Sequence, residues 1–114
     1  MCNLKKKKIL KGLGASTGTA FGTSRIVVDV RTLNRIKNGD ILVTSSITPH
    51  IISYLGLIRG IVTDKGGITS HAAIIAREVG LPCVVGTVNA TKILQNGMTV
   101  LIDGFNGNVY WIRD

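Results

Sequence analysis

Short runs of β-branched and aliphatic residues, separated by glycine-rich turns, dominate the pattern along this chain. Runs of this length bounded by turn residues are typical of buried strands. The last two runs are joined by Asp103-Gly104 and Asn106-Gly107, so they predict a β-hairpin. The predicted strands lie within residues 19–30, 41–43, 61–63, 84–85, 99–102 and 109–111, with a further apolar segment at 9–13.

Helical spacing is confined to shorter stretches between these strands. It predicts a short helix within residues 30–37 and a second one capped by Thr48, with Pro49 at its first position. The longest helix is predicted from about Ser70 to Val79, and a helical turn at 90–94. Because helices and strands alternate, we expect a compact mixed α/β domain, with parallel pairing wherever a helix separates two strands.

Composition and length indicate one domain. The 114 residues are 45% hydrophobic and include 14 glycines, which fits a core of Ile, Val and Leu with many tight turns. The net charge is +8, and five of the positive charges are Lys5 to Lys8 and Lys11. We therefore predict a basic, flexible tail over residues 1–8 and a domain over 9–114. Residues 12–18 are expected to form a loop.

The two cysteines and the hydropathy pattern limit the location of the chain. Cys83 lies in an apolar run and is interpreted as a small core residue, while Cys2 has no metal-type spacing to it. No signal peptide and no apolar stretch long enough to span a bilayer is recognised. A cytoplasmic location is expected.

The stretch from Lys65 to Arg77 carries the candidate chemistry. Gly66 and Gly67 permit positive φ angles, Thr69 and Ser70 supply hydroxyls, and His71 follows at the start of the predicted helix. Free N–H groups and the helix dipole favour an anion at such a point, with Ser70 expected to act as the helix cap. Neutral histidine is a good nucleophile near neutral pH, so we predict that His71 carries phosphate covalently.

Two other basic side chains are not expected to take part in this chemistry. Arg77 lies six residues beyond His71, which turns it away from His71 around the helix. A surface or interdomain contact is expected for Arg77. His50 lacks the glycine and hydroxyl neighbourhood of His71, and we expect it to face solvent.

The run from Gly66 to Arg77, followed by Gly80-Leu81-Pro82 and residues 84–87, resembles the mobile phosphohistidine domain of the phosphoenolpyruvate-utilising enzymes. That family includes phosphoenolpyruvate synthase, pyruvate phosphate dikinase and enzyme I of the sugar phosphotransferase system. The resemblance extends over roughly residues 9–112 and is closer to the synthase branch. One departure is the segment 45–50, which lacks the acidic residue often found near its proline.

The resemblance implies an α/β fold, namely a compact swivelling β/β/α domain with a mixed sheet and the active His71 at a helix N-terminus. It implies a phosphotransferase component, incomplete alone, with Gly66, Gly67, Thr69 and Ser70 supporting the phosphate. Thr69 matches a regulatory phosphorylation site of the dikinase branch. No cofactor is expected on this domain. Mg²⁺ with ATP or phosphoenolpyruvate is expected on partner domains, one binding nucleotide and one a barrel binding pyruvate or phosphoenolpyruvate.

Three alternatives remain open at this point. The fold could serve as a non-catalytic docking or regulatory module, although such a module does not need the nucleophile. Lys5 to Lys11 could bind nucleic acid, but the run lacks interleaved aromatic residues, and neither a nucleic-acid nor a membrane partner is expected. The stretch from Gly12 to Gly18 could bind nucleotide, but it lacks the Gly-Lys-Ser/Thr ending of a phosphate loop.

Overall fold

A computed structural model describes residues 5–113 of the chain as a mixed β-sheet with short helices. Two 3-10 helices, at Val30–Arg35 and Pro49–Tyr54, and two α-helices, α1 at His71–Val79 and α2 at Ala90–Ile93, connect its strands. The eight strands are β1 (Lys5–Lys11), β2 (Leu13–Ser16), β3 (Thr19–Ile26), β4 (Asp40–Thr44), β5 (Ile58–Thr63), β6 (Cys83–Val85), β7 (Thr99–Asp103) and β8 (Asn108–Arg113).

The strands follow the order β1-β8-β7-β3-β4-β5-β6-β2 in one sheet. Strands β3, β4, β5 and β6 run parallel, and the crossovers between them carry the two 3-10 helices and α1. The outer pairs β3–β7, β7–β8, β8–β1 and β6–β2 are antiparallel. The carboxyl ends of β4 and β5 therefore lie at the same edge of the sheet, which is where parallel sheets usually bind ligands.

Gly12 is the only residue between β1 and β2, although these strands stand at opposite ends of the sheet order. The sheet must therefore curl until its ends meet. At the meeting point the N–H of Gly12 donates to the carbonyl of Gly107 at 2.7 Å. A Cβ atom on Gly14 would lie 2.3 Å from the carbonyl oxygen of Phe105, so this approach requires glycine.

Alternating side chains of the curled sheet form two hydrophobic clusters. One lies on the inner face with α2 and includes Ile41, Val62, Val100 and Val109. The other lies between the outer face and the helices, where Ala72, Ala73 and Ala76 of α1 pack on β-strand residues such as Leu42, Ile61 and Val85. Two sheet layers and one helix layer result, which confirms the β/β/α fold class.

Most predicted elements are confirmed, including the closing hairpin and the helix that ends at Gly80, where φ is +77°. The prediction of parallel pairing across every helix is wrong in one place. Helix α2 separates β6 from β7, but β7 pairs with β3 in the antiparallel sense. The reason is the curl of the sheet, which lets α2 cover the inner cluster without forming a crossover between neighbouring strands.

The flexible tail predicted for residues 1–8 is wrong for residues 5–8, which belong to β1; residues 1–4 lie outside the described part. Lys5 pairs with Arg113 and Lys8 with Tyr110, and the Lys6 ammonium lies 4.6 Å from the centre of the Tyr110 ring. A β-ladder bonds backbone groups whatever the side chains, and lysines are frequent on edge strands.

The loop predicted for residues 12–18 is also partly wrong, because Leu13–Ser16 forms β2 against β6. Predicted locations are otherwise confirmed for two side chains: His50 is exposed and Cys83 is completely buried. Within residues 5–113, no helix is long and apolar enough to cross a membrane.

Burial raises the pKa of the Cys83 thiol to about 12, from an ordinary value of 9.0, against an opposing attraction from Arg77. Since the unfolded chain ionises first, the contribution of this thiol to stability is full below pH 9 and is lost as the pH rises toward 12. We expect the free energy of unfolding of the natural protein to fall more steeply above pH 9 than that of Cys83→Val. Equal slopes in denaturant titrations at several pH values would contradict this.

Val88 is the only non-glycine residue of the described range with a positive φ, +78°. Branching at Cβ makes this conformation costly, and the 79% exposed side chain gains little from burial. We expect Val88→Gly to raise the free energy of unfolding by about 0.5–1 kcal/mol, the difference between relieved strain and added chain entropy. Val28 is similarly exposed, at 71%, but has no positive φ, so Val28→Gly should lower stability. Destabilisation by both changes would show that Val88 is unstrained.

Candidate active site

His71 is the first residue of α1 and is exposed. Ser70 is the N-cap: its backbone is extended, and its hydroxyl oxygen accepts a hydrogen bond from the N–H of Ala73 at 3.4 Å. This confirms that Ser70 acts as the cap. The cap leaves the N–H groups of His71 and Ala72 at the end of the helix, where the dipole is positive.

The two glycines before the helix have different roles. Gly66 has φ of +104°, and a Cβ atom there would lie 2.8 Å from Cβ of Ser70. Gly67 has no positive φ, and a Cβ atom on it would meet nothing within 4 Å. Both glycines permit a positive φ, and only Gly66 uses it.

Backbone hydrogen bonds fix the chain that leads into this turn. The N–H of Asp64 donates to the carbonyl of Thr44 at 3.1 Å, and the N–H of Lys65 donates to the carbonyl of Ser45 at the same distance. The hydroxyl of Thr63 donates to the carbonyl of Lys65 at 2.7 Å. The turn is thus attached directly to the carboxyl ends of β4 and β5.

The side chain of Asp64 connects the same segment to α2. Its carboxylate accepts from the N–H of Thr91 at 2.9 Å and from the Thr91 hydroxyl at 2.6 Å. The carboxylate is therefore used in holding α2, beside the turn, and the orientation of the segment between β5 and α1 is fixed from two sides.

Several N–H groups of the turn have no acceptor in the described part of the chain. Ser70 donates to the carbonyl of Gly67 at 3.0 Å, which closes the turn. Within residues 5–113, however, the backbone N–H groups of residues 67–69 and of His71 and Ala72 bond to no protein atom. Unpaired donors next to a helix N-terminus are suited to an anion such as phosphate.

A pocket of about 90 Å³ opens beside the imidazole of His71. Its lining includes no carboxylate, so no negatively charged side chain of the wall repels an anion. Sequence reasoning missed Ser46, Thr63 and Lys65 as lining residues, although Lys65 directly precedes the glycine pair. Thr69 is exposed outside the pocket. The lining residues are Ser46, Ile47, Thr63, Lys65, Gly66, Ser70, His71 and Ala72.

Arg77 is held by the domain itself. One guanidinium nitrogen donates to the carbonyl of Ala15 in β2 at 2.8 Å, and the other donates to the carbonyl of Ile68 in the turn at 2.9 Å. Arg77 is exposed, so its predicted surface position is confirmed, although both of its hydrogen bonds lie within the domain. An interdomain contact stays a prediction. Helix geometry correctly predicted that Arg77 points away from His71, but it could not predict that Arg77 contacts β2.

Substitution of the two glycines by alanine tests the left-handed turn. We expect Gly66→Ala to lower the free energy of unfolding by about 1–3 kcal/mol, because it combines backbone strain with contact against Ser70. Gly67→Ala should be neutral or stabilise by up to about 1 kcal/mol, since its backbone suits alanine. Urea denaturation of both variants measures the difference, and equal losses would contradict the turn geometry.

This chain is similar in sequence to a known protein family and to several of its members. Residues 36–107 match the family model described as "PEP-utilising enzyme, mobile domain". A probable phosphoenolpyruvate synthase of Methanothermobacter thermautotrophicus is 50% identical over 108 residues, covering 94% of this chain and 16% of the relative. The phosphoenolpyruvate synthase of Pyrococcus furiosus is 51% identical over 102 residues, covering 90% and 12%.

A solved structure supports the same grouping. The solution structure of an enzyme I protein superimposes with a TM-score of 0.60 and 33% identity, over 69% of this chain and 33% of that one. The chain spans less than a fifth of the curated relatives named above. It belongs to the mobile-domain family of the phosphoenolpyruvate-utilising enzymes.

Proposed function

We propose that this domain carries a phosphoryl group on His71 between two partner domains. The observation that supports it most directly is the exposed imidazole at the first position of α1, beside a turn where the N–H groups of residues 67–69 bond to no atom of residues 5–113. The family match adds a phosphotransferase context. A domain used only for docking needs neither the nucleophile nor the free N–H groups.

The transfer is a displacement at phosphorus. A ring nitrogen of neutral His71 attacks, the N–P bond forms, and the P–O bond to the donor breaks, its electron pair leaving with the donor oxygen. Delivery reverses these roles, with an acceptor oxygen attacking and the imidazole leaving. One partner domain holds the phosphoryl donor and the other holds the acceptor. Each partner must therefore place its reacting oxygen in line with the phosphorus and the ring nitrogen.

The surroundings of His71 stabilise its phosphorylated form, which is negatively charged. The free N–H groups of residues 67–69, His71 and Ala72 can donate to phosphoryl oxygens, and the helix dipole adds a favourable term of about 0.3–1 kcal/mol. Ser70 retains a hydroxyl hydrogen to donate, because its oxygen serves as the cap acceptor. These contacts preserve the phosphoryl group during the swivelling motion that we propose between the two partners.

The donor, the acceptor and the metal belong to partner domains in this proposal. One partner binds nucleotide, and the other is a barrel that binds pyruvate or phosphoenolpyruvate with Mg²⁺. In the described range, no three His, Cys, Asp or Glu side chains are grouped so as to hold a metal ion. The relatives are six to eight times as long as the matched region, which leaves room in them for such domains.

Phosphoramidate tests the carrier role without any partner, because its P–N bond breaks as the imidazole attacks and ammonia leaves. We expect ³¹P NMR to show an acid-labile phosphohistidine that His71→Ala abolishes and His50→Ala retains. His50 is an exposed histidine without the glycine turn, so it controls for unspecific labelling. Labelling of His50 as fast as His71, or labelling that survives in His71→Ala, would refute the proposal.

A further inference from the structure

Two cationic side chains, Lys65 and Arg77, lie in or near the active turn, the segment of residues 64–70 between β5 and α1. Their contacts in the structure differ. Arg77 already donates to the carbonyls of Ala15 and Ile68. Lys65 makes no ion pair with any residue of the described range, and its exposed side chain forms part of the wall of the His71 pocket. One cation is therefore committed to the backbone, and the other is free to meet a ligand.

The backbone of Lys65 is fixed at both of its polar groups. Its N–H donates to the carbonyl of Ser45, and its carbonyl accepts from the hydroxyl of Thr63. The start of the lysine side chain is therefore placed at the pocket wall, while its flexible end can follow a phosphoryl group as it arrives. The pocket wall contains no carboxylate that would compete for the ammonium.

Arg77 acts at a distance from the imidazole. Six residues along an α-helix correspond to a rotation of about 240° beyond one full turn, so the two side chains leave α1 in different directions. Its bond to the carbonyl of Ile68 also fixes the N–H of Thr69, because the two groups of one peptide unit point in opposite directions. Arg77 thus sets the orientation of one of the free donors.

We propose that Lys65 binds the phosphoryl group on His71 and that Arg77 is a positioning residue that holds the turn. The proposal rests on the proposed carrier function. Lys65 supplies charge and a hydrogen bond, for which an arginine can substitute. Arg77 bridges two carbonyls with its planar fork, for which the single ammonium of a lysine cannot substitute. The two sites should therefore respond in opposite ways to exchange of Lys and Arg.

The rate of His71 labelling by phosphoramidate measures the role of Lys65. We expect Lys65→Gln to slow labelling roughly three- to tenfold and to weaken its dependence on salt, while Lys65→Arg stays near the natural rate. Lys37 is an exposed lysine before β4, at the opposite edge of the sheet, so Lys37→Gln is the control with the same change of charge. Equal rates in the Lys65→Gln and Lys37→Gln variants would overturn the assignment.

Amide hydrogen exchange measures the role of Arg77. We expect faster exchange at Ser70, whose N–H closes the turn on the carbonyl of Gly67, in both Arg77→Gln and Arg77→Lys, because loss of the bond to Ile68 loosens this turn. Labelling of His71 should be slower in both variants. Arg59→Gln is the matched control, because Arg59 lies near the amino end of β5 and forms no hydrogen bond through its side chain in residues 5–113. Unchanged exchange at Ser70, or a natural labelling rate in Arg77→Lys, would overturn the positioning role.

Titration with inorganic phosphate, followed by NMR, separates this proposal from the carrier function. We expect phosphate to shift the amides of His71 and Ala72 and to bind several-fold more weakly to Lys65→Gln than to Lys37→Gln. That result supports the lysine site even if His71 is never labelled, which would refute only the carrier function. Absence of binding to the natural protein, or equal binding to both variants, would refute the lysine site.

Discussion

Two backbone hydrogen bonds, from Asp64 to Thr44 and from Lys65 to Ser45, attach the active turn to the end of the neighbouring strand. They fix where the chain leaves β5, so the left-handed residue Gly66 follows at a defined point and α1 begins at His71, directly after its cap Ser70. The sheet therefore sets the position of His71, and the side chain needs few contacts of its own. An exposed imidazole on a rigid support can meet successive partners without rearranging the domain.

The packing of α1 also makes the support of His71 rigid. The small residues Ala72, Ala73 and Ala76 bring the helix close to the strands. Arg77 of the same helix holds the turn at its start by donating to the carbonyl of Ile68. Asp64 and Thr91 add a second anchor toward α2. Rigidity thus comes from the helix, the sheet and two side-chain bridges, while the face that carries His71 stays open to solvent.

Local signals in the sequence predicted the parts of this arrangement that depend on neighbouring residues. The cap at Ser70, the end of α1 at Gly80 and the hairpin β7–β8 follow from residue preferences within a few positions. Residues 5–8 of β1 and most of β2 are not predicted as strand, because their partners in β8 and β6 lie about 70 to 100 residues away. A run of lysines has no apolar alternation, and only an available strand edge makes it a strand.

The candidate site shows the same division. One continuous motif identifies His71 and Ser70, whereas the other lining residues come from separate segments. Ser46 lies two residues after β4, and Thr63 is the last residue of β5. Gly66 and Gly67 look equivalent in sequence, and only the backbone φ angle separates them. Arg77 was correctly turned away from His71, yet its partner Ala15 lies 62 residues earlier, beyond the reach of any local pattern.

Transfer from a partner tests the central claim most directly. The protein is mixed with Mg²⁺ and phosphoenolpyruvate that carries a radiolabelled phosphoryl group. The partner is the Pyrococcus furiosus phosphoenolpyruvate synthase, from which the mobile domain of that enzyme has been deleted. If His71 is the carrier, this chain takes up acid-labile label in the natural form and in His50→Ala, and takes up none in His71→Ala. Label that remains on the chain after His71→Ala would contradict the account.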